Sequence, residues 1–220
     1  MPFGTQEILA IVVGASFAAG LNVYATVATL GLLARFGVLP LPPSLHLLTN
    51  DWTIGAAALL FAVEFVADKI PLIDHLWNAV HTFVRPIAGA VVAVVASSHA
   101  LPVTHITAVT SHSGSGAAVV ALSTIPITGV GLLVILIIGG LLAALSHTTK
   151  ATARLVSTIT TAGFLNIVLS LVEDVLVLIV ILLSLFASTT MLILLALFVL
   201  VLAPRYMRTR TIWISRHWRI

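Results

Sequence analysis

Three carboxylates stand where an apolar chain rarely puts them. Glu64 and Asp68, one helical turn apart in AVEFVAD, and Glu173, in SLVEDV, sit inside long hydrophobic stretches. A lone carboxylate in hydrocarbon costs at least ~2.5 kcal/mol, so each should hold a proton, a cation or a basic side chain. The partners are at hand in two further patterns. Asp74, Asn78, His81 and Arg85 fall at i, i+4, i+7 and i+11, and His147, Lys150 and Arg154 at i, i+3 and i+7; on helices these spacings are two polar stripes. Asp174, about 100° round a helix from Glu173, cannot share a partner with it. Asn22, in Gly20-Leu21-Asn22, weakens a helix in mid-membrane and offers polar groups there.

Acids at matching depth above two His- and Arg-bearing stripes describe a polar cavity open to the cytoplasm. Its substrate-binding candidates are Glu64, Asp68, Glu173, Asp74, His81, Arg85, Lys150, Arg154 and Asn22. A divalent cation would find oxygen ligands in Glu64, Asp68 and Glu173, with His81 or His147 favouring a transition metal. For each stripe residue taken singly, the plainer reading is a cation snorkelling at the cytoplasmic interface. No nucleophile elbow, zinc-protease, phosphate-loop or dinucleotide motif occurs, so no catalytic residue is named.

The elements that must position these residues are membrane spans. The chain has 220 residues, 60% of them hydrophobic and only 8% charged, with ten lysines and arginines against seven acids. A soluble domain is nearer a quarter charged. Cysteine is absent, which removes disulfides and thiolate sites. The N-terminal MPFGTQEIL lacks the charged region and cleavage site of a signal peptide, so the first apolar stretch is read as retained.

The apolar pattern predicts an all-α polytopic bundle of about six spans. The first covers residues 8–36, interrupted at Asn22, and the second Trp52 to Ile70, after a connection rich in proline at 40, 42 and 43. Glu64, twelve residues after Trp52, then lies ~18 Å below the outer face, and Glu173, ten after Gly163, ~15 Å from the cytoplasmic side. Residues 72–85 read as a short amphipathic piece, with a third span from Pro86. A polar loop at 97–116 carries His99, His105 and His112, six and seven apart, a spacing too wide for a compact metal site. Residues 117–126 suggest a short re-entrant or interfacial piece before a span from about Ile127 to Leu145. Residues 146–162 read as amphipathic, and 163–202 as two spans in a tight hairpin at Ala187-Ser188-Thr189-Thr190.

With both termini cytoplasmic, nine of the ten cations fall inside and only Arg35 outside, as the positive-inside rule asks. The expected organisation is one transmembrane domain over 1–204, with halves at 1–100 and 117–204, and a basic cytoplasmic tail over 205–220. Three spans per half would make the halves an inverted repeat, with AVEFVAD and SLVEDV in equivalent places. The tail holds five arginines with Trp213 and Trp218, which suits anionic headgroups; nothing beside it offers a folded reader of nucleic acid. Runs such as Ala88-Gly89-Ala90 and Gly139-Gly140 suit internal helix packing or a contact between copies of the chain.

The stretches GLNVYATVATLGLLARFG, VEFVADKIPLIDHLWNAVHTFVRPIAGA, SHTTKATAR and GFLNIVLSLVED resemble the bacterial membrane proteins grouped as domain of unknown function 4126. Glu64, Asp68, Lys69, Asp74, His81, Arg85 and Pro86 carry most of that resemblance. It implies a multi-pass inner-membrane protein and assigns no activity.

The residues themselves suggest a small transporter or channel-like protein, moving a cation or a proton-coupled solute past Glu64, Asp68 and Glu173. A lipid-directed protein is the alternative, an intramembrane enzyme or a lipid-phosphate translocator. In it Arg85, Lys150 and Arg154 would clamp a phosphate headgroup, with Asp74 or His81 as base. An accessory subunit of a larger membrane complex is the third.

Overall fold

The computed structural model describes residues 5–38, 48–97, 129–161 and 164–217, with side chains followed as far as Leu202. Every element among them is a helix: α1 Thr5–Leu21, α2 Val23–Arg35, α3 Asp51–Ala67, α4 Pro71–Ser97, α5 Gly129–Thr161, α6 Phe164–Phe186 and α7 Ser188–His217. Leu72–Ser97, Gly131–Thr161 and Phe164–Phe186 are long and apolar enough to cross a membrane; Gln6–Leu21, Val23–Arg35 and Ser188–Leu202 are shorter apolar helices. The proline-rich connection around 40–43, the loop histidines His99, His105 and His112, and the piece at 117–126 lie outside the described residues.

Polarity is inverted relative to a water-soluble fold. Leu59, Phe83, Ile87, Leu141, Ile159 and Leu200 face outward, whereas Glu64, Asp74, Arg85 and Arg154 are fully buried. Lipid as the outer solvent selects that arrangement, because a charge facing hydrocarbon has no partner. The chain is a membrane-helix bundle.

α1 is its axis. Ala10, Ala15, Ser16, Ala18 and Ala19 are almost completely enclosed, and α4, α5, α6 and α7 all pack on α1. Small side chains allow that crowding. The α4–α5 seam is equally close: a methyl at Gly89 would meet Ala143 and the Gly139 carbonyl, and one at Gly139 would meet Ala93 and the Gly89 carbonyl.

Residue pairings fix the helix directions. Ser16 meets Gly89 and the Gly20 carbonyl meets Arg85, so α4 runs against α1. Phe17 with Ser146 and Leu21 with Lys150 set α5 along α1. Glu64 pairs with Lys150, and Asp68 with Arg154, so α3 also runs along α1. α2 runs against α3, with Arg35 on Asp51 and Gly31 against Leu48 and Ile54. α2 therefore doubles back on α1, and the two form a helical hairpin whose tip is Asn22.

That hairpin corrects the reading of residues 8–36 as one interrupted crossing. Asn22 is not a weak point within a span; its extended backbone (φ −151°, ψ 104°) turns the chain around. α6 runs against α1 and α7 along it, as Asn22 with Asp174, Gln6 with Thr189 and Phe17 with Phe198 show. The hairpin expected near Ala187 is present, with that single residue between its helices. Thr5 and the end of α7 thus lie at opposite ends of the bundle, whereas counting 8–36 as one crossing put both termini on one side.

Two further expectations change. Residues 72–85 and the span after them are one 27-residue helix, and residues 146–161 continue α5, which has 33. Pro86 lies inside α4 without ending it, at the loss of one backbone hydrogen bond. The two polar stripes face protein and need not leave the membrane to find partners. The basic tail continues α7 as helix to His217. Four described helices precede the undescribed segment and three follow it; α3 and α6, which carry the two acidic motifs, run in opposite senses.

Candidate functional site

The tip of the α1–α2 hairpin ends near mid-bundle, level with Asp174, which lies near the middle of α6. Ending a helix there strands carbonyls that no water can reach. The stripes supply their donors. Arg85 Nη1 donates to the Gly20 carbonyl at 3.1 Å and Lys150 Nζ to the Leu21 carbonyl at 3.1 Å; outside the stripes, Ser146 Oγ adds a bond to the Phe17 carbonyl within α1 at 2.8 Å. Two cations thus sit at the negative end of the α1 dipole. The Asn22 side chain caps α2, its Oδ1 accepting from the Ala25 amide at 2.9 Å. Its Nδ2 donates to Asp174 Oδ1 at 3.1 Å.

Around the tip the charges form one network. Arg85 pairs with Glu64. Lys150 Nζ stands 3.3 Å from Glu64 Oε1, 3.5 Å from Asp68 Oδ2 and 3.1 Å from Glu173 Oε2. Arg154 holds three acids: Glu173 through both Nε (3.3 Å) and Nη2 (2.5 Å), Asp68 through Nη2 (2.6 Å) and Asp74 through Nη1 (2.5 Å). Ser170 and Asn78 add donors to Asp68 and Asp74. Glu64 and Glu173, from separate helices, converge on the Lys150 ammonium.

The two histidines are spoken for. Arg85 can only donate, so His147 Nδ1 accepts from it at 3.0 Å and the Nε2 hydrogen goes to Thr82 Oγ1 at 3.2 Å; that is the neutral ring. Thr82 passes its own hydrogen to the Asn78 carbonyl at 2.9 Å. His81 Nδ1 donates to the Trp77 carbonyl at 2.8 Å, which leaves Nε2 facing the Tyr24 hydroxyl at 3.2 Å. Trp77 stacks on the ring and Tyr24 meets it edge-on. Among the described residues no group of three His, Asp or Glu side chains stands ready to hold a metal ion.

Every candidate from the two stripes and the two acidic motifs is brought to this one place, but not in the expected form. An acidic cavity open to the cytoplasm is replaced by a closed network: Glu64, Asp68, Asp74, Arg85, Lys150 and Arg154 are at most 3% exposed and Glu173 6%. The basic side chains fill the space the acids would otherwise enclose. Snorkelling at the interface is excluded for Arg85, Lys150 and Arg154 by the same burial. A phosphate clamp would need these cations free, and all three are occupied. Lys69 stands apart, its Nζ on the Phe65 carbonyl at 2.7 Å and over the Phe65 ring.

A family profile described as Domain of unknown function (DUF4126) matches residues 9–129 and 114–208. The chain belongs to this family. Neither a curated protein nor a solved structure matches it. The family match spans both the hairpin and the network, so in this DUF4126 member the cluster lies within the family's domain.

Sequence reasoning missed several members of the site. Asp174 was set aside for facing away from Glu173's partners; it faces Asn22 instead. Ser170 and Asn166 share the Glu173 face of α6 and are as buried as the acid, a stripe at i, i+4 and i+7 that apolar neighbours obscured. Tyr24 and Thr82 carry no signal beyond being polar in a span.

Proposed function

We propose that this DUF4126 protein is a small secondary transporter of the cell's inner membrane. It moves a cation or a proton-coupled solute, and the buried network is its coupling site, seen closed. The observation that carries this reading is the α1–α2 tip, a helix end at mid-bundle whose carbonyls are held by Arg85 and Lys150, themselves paired to Glu64 and Glu173. Discontinuous helices whose ends meet ions at mid-depth are a recurrent transporter device.

The energetics explain why neutralisation and opening would be coupled. Breaking a buried ion pair by removing one partner costs about 3–5 kcal/mol, more than a conformational equilibrium commonly spans. The tip therefore stays shut while Glu64 and Glu173 are charged and paired. A cation or proton that satisfies those carboxylates releases Arg85 and Lys150, weakens their hold on the Gly20 and Leu21 carbonyls and frees the hairpin to move. The basic run that continues α7 would rest on anionic headgroups.

Reconstitution into liposomes tests this. The parent should show uptake driven by a pH or cation gradient, and Glu64→Gln with Glu173→Gln should abolish it. Gradient-driven flux that the double variant leaves unchanged would defeat the reading.

A further inference from the structure

The cluster is short of positive charge. Glu64, Asp68, Asp74 and Glu173 face Arg85, Lys150 and Arg154, so four buried carboxylates meet three buried cations. A fifth acid, the half-buried Asp174, adjoins them through Asn22. Both histidines have hydrogen-bond partners that suit the neutral ring, and the Lys69 ammonium is turned onto the Phe65 carbonyl. Unbalanced negative charge in a low-dielectric interior is costly, and such sites take up a proton or a counterion.

Unused oxygens show where that charge can go. Glu64 Oε2, Asp68 Oδ1, Asp74 Oδ2 and Asp174 Oδ2 are buried with no hydrogen-bond partner. They belong to four different side chains, and among the described residues no three acids or histidines are gathered as ligands of one metal ion. A proton needs only one oxygen. Glu64, Asp68 and Asp74 each hold at least one cation through their other oxygen, and protonating any of them would weaken that pair. Asp174 has no ion pair among the described residues; its one partner is the Asn22 amide, donating to Oδ1.

We propose that Asp174 is the proton-binding carboxyl of the cluster, carrying its hydrogen on Oδ2, and that Asn22 transmits its state to the hairpin tip. This deepens the transport reading and rests on it for the word coupling: the coupling ion is a proton, held on Asp174 while the network is closed, and opening follows when it passes to the Glu64 or Glu173 carboxylate. The charged groups around Asp174 are Lys150 on α5, Glu64 on α3, and Asp68 and Lys69 directly after it, with Glu173 beside it on α6. Protonated, Asp174 still accepts from Asn22 Nδ2 and leaves Lys150 to Glu64, Asp68 and Glu173. Ionised, it adds a second negative charge to the excess, competes for Lys150 and draws the Asn22 amide more strongly, pulling on the residue that caps α2 and turns the chain.

Infrared difference spectroscopy of the purified, full-length protein reads this without any transport assay. A pH step should reveal a protonated-carboxyl C=O band that shifts in D2O; Asp174→Asn should remove it, and Asn22→Ala should move its frequency without removing it. If the parent shows no such band across the pH range in which it stays folded, the proposal is overturned whether or not any variant folds. A band that survives in folded Asp174→Asn overturns the assignment equally. Because the readout needs no flux, the two ideas separate: a band without gradient-driven uptake keeps the proton site and removes the transporter, and uptake without the band does the reverse.

Discussion

Arg85 and Arg154 are both fully buried and both arise from polar stripes, yet they keep different company. Arg85 has one acid, Glu64, and its Nη1 donates to both the Gly20 carbonyl and the His147 ring, while its Nε is buried without a partner. Arg154 has Glu173, Asp68 and Asp74. The first is a balanced pair that ties a helix end in place; the second is a single cation under three carboxylates. Positive charge is thus scarce on the α6 side of the cluster, where Asp174 also lies, and matched beneath the hairpin tip. One side of the network can take up charge while the other holds structure.

Removing Arg154 is the harshest way to test that asymmetry. Arg154→Met strands Glu173, Asp68 and Asp74 with only Lys150, Ser170 and Asn78 as neighbours. Each abandoned buried charge costs several kcal/mol, and losing one partner of a single buried pair already costs about 3–5 kcal/mol. The expected outcome is a protein that does not survive extraction as a folded species, read by size-exclusion chromatography and helical content. A folded Arg154→Met melting near the parent temperature would mean that the acids are already neutral.

Arg85→Met should be milder and, unlike Arg154→Met, repairable. It leaves Glu64 with Lys150 at 3.3 Å, for an expected loss of about 3–5 kcal/mol in unfolding titrations in detergent. Adding Glu64→Leu removes the orphaned acid, and a buried pair replaced by apolar groups is often close to neutral. The double variant should therefore recover more than half of the loss, leaving mainly the unserved Gly20 carbonyl. No single change at an acid should do the same for Arg154. Equal rescue on both sides would erase the distinction between them.

The sequence showed the residues of this network but not its form. Periodicity put Asp74 with Arg85, and His147 with Arg154, on shared helix faces, because a 3.6-residue repeat is local. It could not say that both faces point inward, since an amphipathic stripe at a membrane boundary has the same spacing as one facing a protein interior. Ending the second span before Pro71 agrees with α3, which stops at Ala67, and α4, which starts at Pro71; beginning the third at Pro86 followed from treating polar residues as interfacial, whereas their partners come from other helices, from 19 to 129 residues away in the chain. Asn22 was visible as a break, but whether a one-residue break bends or reverses a helix depends on what packs against it. Here α3 and α4 decide.

The exposed pair Arg35–Asp51 sets the scale for these effects. It joins the end of α2 to the start of α3, with side chains 49% and 73% exposed, and uses the same chemical groups as the buried pairs. Solvent screening and side-chain entropy reduce such a pair to roughly 0–1 kcal/mol. Arg35→Ala should therefore shift stability by no more than about 0.5 kcal/mol, the usual range for a surface substitution, and leave gradient-driven uptake intact. A loss comparable to Arg85→Met would show that the hairpin is held from its open end as firmly as from its tip. The division between a structural pair and a charge-deficient side would then miss where α2 is anchored.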